Sequence, residues 1–443
     1  MRHPLHQHEP AKLAKGLQKS ISLAEATVYG LGIIFGAGIY ALIGEAAGIA
    51  GNMVWLSFVF SAFVASLTAL SYCELSSLFP KSAAEYVYVK SAFNSNLLGF
   101  MMGWISMFAA LITISAVSLG FAGYFNALFG VPVILTAVAL IAILSIVNFL
   151  GAKESTKLNL VLTLVATLGL LLIIMMAIPF FGSVDYFESP VQGKGLLPSL
   201  NSVAVAAALI FFAYLGFEDI ANISEETVDA KNAVPKAILL ALVISTVLYV
   251  LVSVSVVSVV PWQQLSASSA PISLVAGKIL GEPGTIVFSV IALFATSSTV
   301  LIVLVAVSRL LYGISSDHGM PEVISKVHSR TGVPFVSIAI TSLLAMVFVL
   351  IGDLKEVAYI TNFGVFVLFL MVNLAVIMLR LRGPEVQGVF KIPWSIGKVP
   401  LLPVLGALFS LFMISRVETS SAVFGSVVIL LGVPAYFVLA MLK

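Results

Sequence analysis

Charge is scarce in this chain of 443 residues: only 9% are Asp, Glu, Lys or Arg, against 60% hydrophobic residues, and the mean hydropathy is +1.13. So few charges cannot cover a water-exposed surface, which excludes a soluble globular protein and leaves a membrane protein. Cysteine is nearly absent. With Cys73 alone, neither an intrachain disulfide nor a cysteine metal cluster can form, and the redox compartment is undetermined. The histidines show no ligand spacing; His3, His6 and His8 fall in a polar N-terminal stretch that reads as a solvated tail. That start is too long and polar, and the first apolar stretch too long, for a cleavable signal peptide. A catalytic constellation is missing as well. His318 and His328 fall in a loop, and no intramembrane Lys or His can be assigned as a base to Ser297 or Ser298, which argues against an enzyme. The longest polar segment is the short N-terminus, too small for the soluble signalling domain of a sensor. The formal charge of +2 carries no suggestion of nucleic-acid binding.

What the chain does have is apolar length. Twelve stretches can each cross a core that needs ~20 helical residues: 21–49, 51–78, 97–126, 131–149, 156–180, 199–223, 234–260, 284–314, 333–351, 355–380, 399–415 and 421–442. The chain is therefore expected to be an all-α polytopic membrane protein. Pro271 to Leu280, between the seventh and eighth stretches, reads as an amphipathic segment at the membrane surface. With both termini in the cytoplasm, every Lys and Arg except Lys194, Lys278, Lys355 and Arg416 falls on the cytoplasmic side, as retention of positive charge requires. One missed span would reverse every later loop. Trp262 and Trp394 then fall at the interfaces, as aromatic anchors do.

Two of the stretches are damaged. The first carries Gly30, Gly32, Gly36, Gly38, Gly44 and Gly48, with Gly36-Ala37-Gly38 at its centre; the sixth is interrupted by Leu215-Gly216-Phe217-Glu218-Asp219. Glycine loosens a helix, and an acid at membrane depth is costly unless it faces protein or water. Broken helices at corresponding places in two halves of a membrane protein point to a solute site near the midplane. Spans one to five (21–180) and six to ten (199–380) are read as two halves of opposite orientation, after a cytoplasmic tail (1–20) and before an appendage (399–443). An unwound segment frees N–H and C=O groups that must be paired by ligand or water. Amides at the start of the half-helix after Gly36-Ala37-Gly38 favour a carboxylate, and carbonyls around Phe212 to Leu215 favour an ammonium. One pole for each sign suits a zwitterion. The competing reading is that these glycines only allow helices to pack closely.

Four blocks, in order along the chain, carry a resemblance. They are Gly32-Ile33-Ile34-Phe35-Gly36-Ala37-Gly38-Ile39-Tyr40; Tyr72-Cys73-Glu74-Leu75 through Phe79-Pro80 to Glu85-Tyr86-Val87-Tyr88; Phe211-Phe212-Ala213-Tyr214-Leu215-Gly216-Phe217-Glu218 with Glu225-Glu226-Thr227 and Val234-Pro235-Lys236; and Ser308-Arg309-Leu310-Leu311-Tyr312 with Asp317-His318-Gly319-Met320-Pro321. Together they resemble the amino acid-polyamine-organocation (APC) superfamily of transporters, from about residue 20 to 440. The resemblance implies a five-plus-five inverted repeat, the leucine-transporter-type fold, with alternating access to a central site. It implies that the main chain at Ile34, Gly36, Ala37 and Gly38 holds the substrate carboxylate and shares its amine. The Phe212 and Leu215 carbonyls would complete the amine site, with the Phe212 ring as a gate. Glu218 matches an acid implicated in substrate or proton response; the plainer reading is that Glu218 and Asp219 cap exposed amides or pair with a neighbouring helix.

The coupling ion implied is a proton or sodium, with no other cofactor and no metal. Some proton-coupled relatives place a lysine in the fifth span, where this chain has Ala166. In the eighth span, Ser297 and Ser298, within Thr296-Ser297-Ser298-Thr299, offer hydroxyls to a sodium ion; the alternative is that they bond back to the helix or its neighbour. Glu74, Lys81, Glu85 and Lys90 are read either as an ion-pair network at the inner face or as solvated loop charge. The expected function is ion-coupled amino acid transport across the plasma membrane, with an amine, polyamine or amino acid exchanger as the alternative. The partners are an amino acid or related amine and membrane lipid. Side-chain specificity and oligomeric state are left open.

Overall fold

A computed structural model of the protein describes residues 19, 21–191, 196–329, 331–351, 354–383 and 390–441. The expected tail, apart from Lys19, and Lys194, Arg330 and Lys443 lie outside the described residues. Helix α1 (Leu23–Ile34) begins at a capping box: the Ser22 hydroxyl accepts the Glu25 N–H, and Glu25 Oε2 accepts the Ser22 N–H at 2.8 Å. After a break come α2 (Ala37–Tyr40), α3 (Leu42–Ala50) and α4 (Val54–Leu78). Helix α4 stops before Phe79-Pro80, because proline disfavours helical backbone at the residue preceding it. The chain continues through α5 (Ala84–Phe93), α6 (Asn96–Phe129), α7 (Val133–Leu150), α8 (Ala152–Ala177), α9 (Leu196–Ile210), α10 (Ala230–Val259), α11 (Trp262–Ser266), α12 (Pro271–Leu280) and α13 (Glu282–Ser316). Helices α14 (Phe335–Phe348), α15 (Leu354–Arg382), α16 (Leu401–Ile414) and α17 (Thr419–Met441) complete it. A hairpin of β1 (Ser395–Ile396) and β2 (Val399–Pro400) is the only sheet among the described residues.

Among the described residues, nine helical stretches are long and apolar enough to cross a membrane, and α1, α12, α14 and α16 are shorter apolar helices. The first, ninth and eleventh expected spans are thus not full-length helices. Helix α1 stops after 12 residues because the chain unwinds at Phe35-Gly36, and α14 passes after 14 residues into the 3-10 turn Val349–Ile351. Depth in the bundle separates the stretches. The most apolar window of Leu197–Glu226 is 78% buried inside the protein, against 11% for Thr419–Leu439, so the interrupted segment is central and α17 peripheral, its apolar sides left for lipid or another chain. The segment expected at the membrane surface is helix α12, which packs one face on the protein and leaves Leu280 exposed. Pro271, Ile272, Val275 and Ala276 are buried, α12 packs on α13, and the Ser289 hydroxyl bonds Ser273 at 3.1 Å.

Glu74, Lys81, Glu85 and Lys90, read either as an ion-pair network or as solvated loop charge, do not pair with one another. Each reaches a different element: Lys81 pairs with Glu225 at 3.6 Å, Lys90 with Asp317, and Glu74 with Arg380, while Glu85 accepts the Tyr72 hydroxyl at 2.9 Å. Glu74 is buried and also accepts the Ile392 N–H at 2.8 Å, so one carboxylate fastens α4, α15 and the approach to the hairpin. Removing one partner from a buried ion pair strands the other charge, at a cost of about 3–5 kcal/mol. Arg380→Ala is therefore expected to lower the thermal unfolding midpoint of the purified protein markedly, and an unchanged midpoint would show that the pair does not hold these elements together.

Candidate functional site

At the first break, the Phe35 N–H still bonds Leu31 O at 2.9 Å, but the Gly36 N–H turns back to Ile34 O at 2.8 Å, a tight turn that ends the helix. Helix α2 restarts at Ala37, so its opening N–H groups have no partner within the helix. The sixth segment breaks differently. Helix α9 gives way to the 3-10 turn Phe211–Tyr214, then extended Leu215, then Gly216 at φ +121, before the 3-10 helix Glu218–Glu226. Only glycine adopts that backbone readily, and a Cβ on Gly216 would also overlap Ile33.

The two breaks touch. A Cβ on Gly38 would collide with the Cα and N of Ala213, and one on Gly36 with the Thr299 side chain. Farther along, Ile21 pairs with Thr227 as a parallel bridge, Ile21 N–H to Glu226 O at 3.0 Å, so the approach to the first segment is tied to the exit from the sixth. A cavity lies at the breaks, lined by Ile34, Gly36, Gly38, Phe212, Leu215 and Glu218 among others. The expected residues Ile34, Gly36, Gly38, Phe212, Leu215 and Glu218 are thus brought together, and Ala37 sits between two of them at the start of α2. The space among the lining atoms, including the part open to solvent, is about 740 Å³.

Several break carbonyls already have donors. Tyr249 of α10 places its hydroxyl on Ile34 O and also, at 3.0 Å, on Ala213 O. A hydroxyl has one proton, so the two carbonyls share it, and a ligand reaching Ile34 O shares that oxygen with Tyr249. Asn362 of α15 donates to Ala208 O at 2.7 Å and Leu209 O at 3.0 Å. Neither residue stood out in the sequence, where a lone Tyr or Asn in an apolar span carries no sign of which way it faces. The Gly216 N–H bonds Glu218 Oε2 at 3.0 Å, and Asn222 donates to Asp219 at 3.3 Å. Both acids therefore do cap local donors, while lining the cavity. Glu85 of α5 lines it too. Burial pushes the Glu85 carboxyl above its ordinary range, opposed in part by hydrogen bonds that include the one from Tyr72.

The hydroxyl cluster on α13 is displaced by one residue from the expected pair. Ser298 bonds Asn159 Oδ1 at 2.7 Å and Gly32 O at 3.2 Å, and Thr299 bonds Ile33 O at 2.9 Å; Thr163 lies 3.1 Å from Ser298. Ser297 is half-buried and outside this group. The reason is helical spacing: Ala295, Ser298 and Thr299 share one face, and Ser297 is turned about 100° from Ser298. Asn159 and Thr163, at i and i+4 on α8, complete the cluster and were legible only as a polar pair. Ala166 is buried and its carbonyl accepts the Tyr40 hydroxyl at 2.8 Å.

The family model described as Amino acid permease matches residues 20–439. The chain is 30% identical over 445 residues to the branched-chain amino acid permease BcaP of Bacillus subtilis, covering 96% of this chain and 93% of that one. It is 30% identical over 425 residues to the methylthioribose transporter of the same organism, covering 91% and 89%. It is 27% identical over 396 residues to the cationic amino acid transporter 4 of Mus musculus, covering 84% and 62%.

Proposed function

Because the chain belongs to the amino acid permease family, a family of multi-pass membrane proteins, we propose that it is a secondary active transporter of amino acids that works by alternating access. The observation that carries this is the direct contact of the two breaks at Gly38 and Ala213 beside the cavity. The amides that open α2 receive the substrate carboxylate. The carbonyls of Phe212 and Leu215 receive its amine, and the Phe212 ring moves to admit and release it. The fold proposed is the twelve-span, five-plus-five inverted repeat, with α1 to α3 equivalent to α9 and the turns after it, and both termini cytoplasmic.

For coupling, we propose sodium ahead of a proton. Ser298, Thr299, Thr163, Asn159 and the carbonyls of Gly32 and Ile33 supply neutral oxygens only, the donor set a hard monovalent cation accepts. Ala166 leaves no ammonium to take that place. Bound there, sodium would join α13 and α8 to the segment just ahead of the first break. The test is uptake of labelled amino acids into liposomes containing the protein, with sodium and proton gradients imposed separately. A sodium gradient is expected to drive accumulation, and Thr299→Val to cut the sodium-driven rate by at least about tenfold, as loss of a hydroxyl in a buried polar site does. Accumulation driven by protons alone, unchanged in Thr299→Val, would overturn the sodium assignment; uptake seen only with preloaded amino acid would make the protein an exchanger.

A further inference from the structure

The cavity has a second end where three carboxyls, buried or half-buried, meet without a basic partner among the described residues. Glu85 in the first turn of α5, and Glu218 and Asp219 just beyond the sixth-segment break, line it with Tyr72 and Ser106. Asn222 sets their spacing: its side chain accepts the Ala84 N–H at 2.9 Å and donates to Asp219 Oδ1 at 3.3 Å, so the residue before Glu85 and the carboxylate of Asp219 share one amide. Each of the three acids lies in the field of another. Other acids near this end have basic partners: Glu225 has Lys81, Asp317 has Lys90, Glu226 has Arg309 and Glu74 has Arg380. Among the described residues, no ion pair reaches Glu85, Glu218 or Asp219.

Hydrogen bonds occupy one oxygen of each carboxylate, from the Tyr72 hydroxyl, the Gly216 N–H and the Asn222 amide. Glu85 Oε2 has no hydrogen-bond partner within 3.5 Å among the described residues, although Glu85 is only 2% exposed; the nearby Ser106 hydroxyl, which acts on the Glu85 carboxyl, is also without a partner at that distance. Buried polar oxygens are normally satisfied, and one that is not, in the wall of a cavity, is free for a ligand to satisfy. The partner that suits it carries positive charge and several N–H donors. A cation set among these acids supplies the opposite charge that makes ionising them favourable. Along the cavity, Val303, Val307, Leu310 and Leu368 provide apolar wall, which suits an aliphatic stem.

We infer that this end of the cavity is a subsite for the side-chain ammonium or guanidinium of a cationic amino acid, held by Glu85 together with Glu218 and Asp219. The inference rests on the amino acid transport reading and gives that site its side-chain class. An ammonium brings three donors and a guanidinium five, enough to bridge more than one carboxylate.

The test is binding of labelled lysine, and of norleucine as its uncharged counterpart, to the full chain in lipid nanodiscs. The wild type is expected to hold lysine at least about tenfold more tightly than norleucine, as charge-assisted hydrogen bonds imply. Glu85→Gln keeps an acceptor for Tyr72 and removes only the charge; it is expected to bring the ratio within about twofold while norleucine affinity stays unchanged. Asp219→Asn, which keeps the Asn222 contact, is expected to shift the ratio in the same direction and serves if Glu85→Gln does not yield folded protein. No preference in the wild type, a preference that survives in the folded variants, or an equal loss for both ligands would overturn the subsite. The last outcome would assign the acids to an inorganic cation or to the fold. Norleucine binding without lysine preference would leave the transport reading standing, whereas failure to bind any amino acid would overturn both.

Discussion

Gly38→Ala is expected to reduce amino acid uptake by about 100-fold or more while the protein still folds and inserts. The added methyl would meet the Cα and N of Ala213, and backbone cannot swing aside as a flexible side chain can. The two breaks must then move apart, at a cost of about 1–3 kcal/mol for the overpacking plus the loss of the paired poles they present to a zwitterion. Local helix formation does not suffer, since alanine is the better helix former. Gly123→Ala in α6 is the matched control, because a Cβ there meets nothing within 4 Å; it is expected to transport like the wild type. Gly38→Ala uptake equal to that of Gly123→Ala would show that the contact of the breaks does not matter for transport.

Tyr249→Phe is expected to weaken substrate affinity by about 5- to 150-fold, the range that follows from about 1–3 kcal/mol for leaving a buried carbonyl unpaired. The variant isolates the hydroxyl. The ring keeps its packing against Phe58, Tyr214 and Phe35, with centroids at 5.5, 5.4 and 5.9 Å. Only the proton shared between Ile34 O and Ala213 O is lost, and with it the link that α10 makes between the two discontinuous segments. Equilibrium binding of the labelled substrate measures the effect, with thermal unfolding as the check on folding. Unaltered affinity would mean that the carbonyls find another donor and that Tyr249 does not position the site.

Much of this architecture was legible before the structure because membrane constraints are local. Apolar length marks a span, and a glycine cluster or an acid within it marks a defect, so both breaks, and the residues Gly36, Gly38, Phe212, Leu215 and Glu218 that flank the cavity, could be placed from the chain alone. Rotation about a helix axis could not. Thr299 rather than Ser297 stands beside Ser298 because of where α13 faces α1, and in a helix apolar on every side nothing in the sequence states that facing. Tyr249 and Asn362 were hidden for the same reason. Ion pairs were illegible for another: Glu74 finds Arg380 across 306 residues of chain, while the neighbouring charges that invited a local network each turned to a different element. Helix α5, which carries Glu85 to the cavity, fell in a connection too polar to register as a span.

Whether one amino acid binds across the two breaks is decided by a cryo-electron microscopy structure of the protein in nanodiscs with its transported amino acid. The carboxylate is expected on the amides around Gly36, Ala37 and Gly38 and the amine on the carbonyls of Phe212 and Leu215. An amino acid seated away from both breaks, with Gly38 still packed on Ala213 and neither segment touching it, would show that the breaks do not form the binding site.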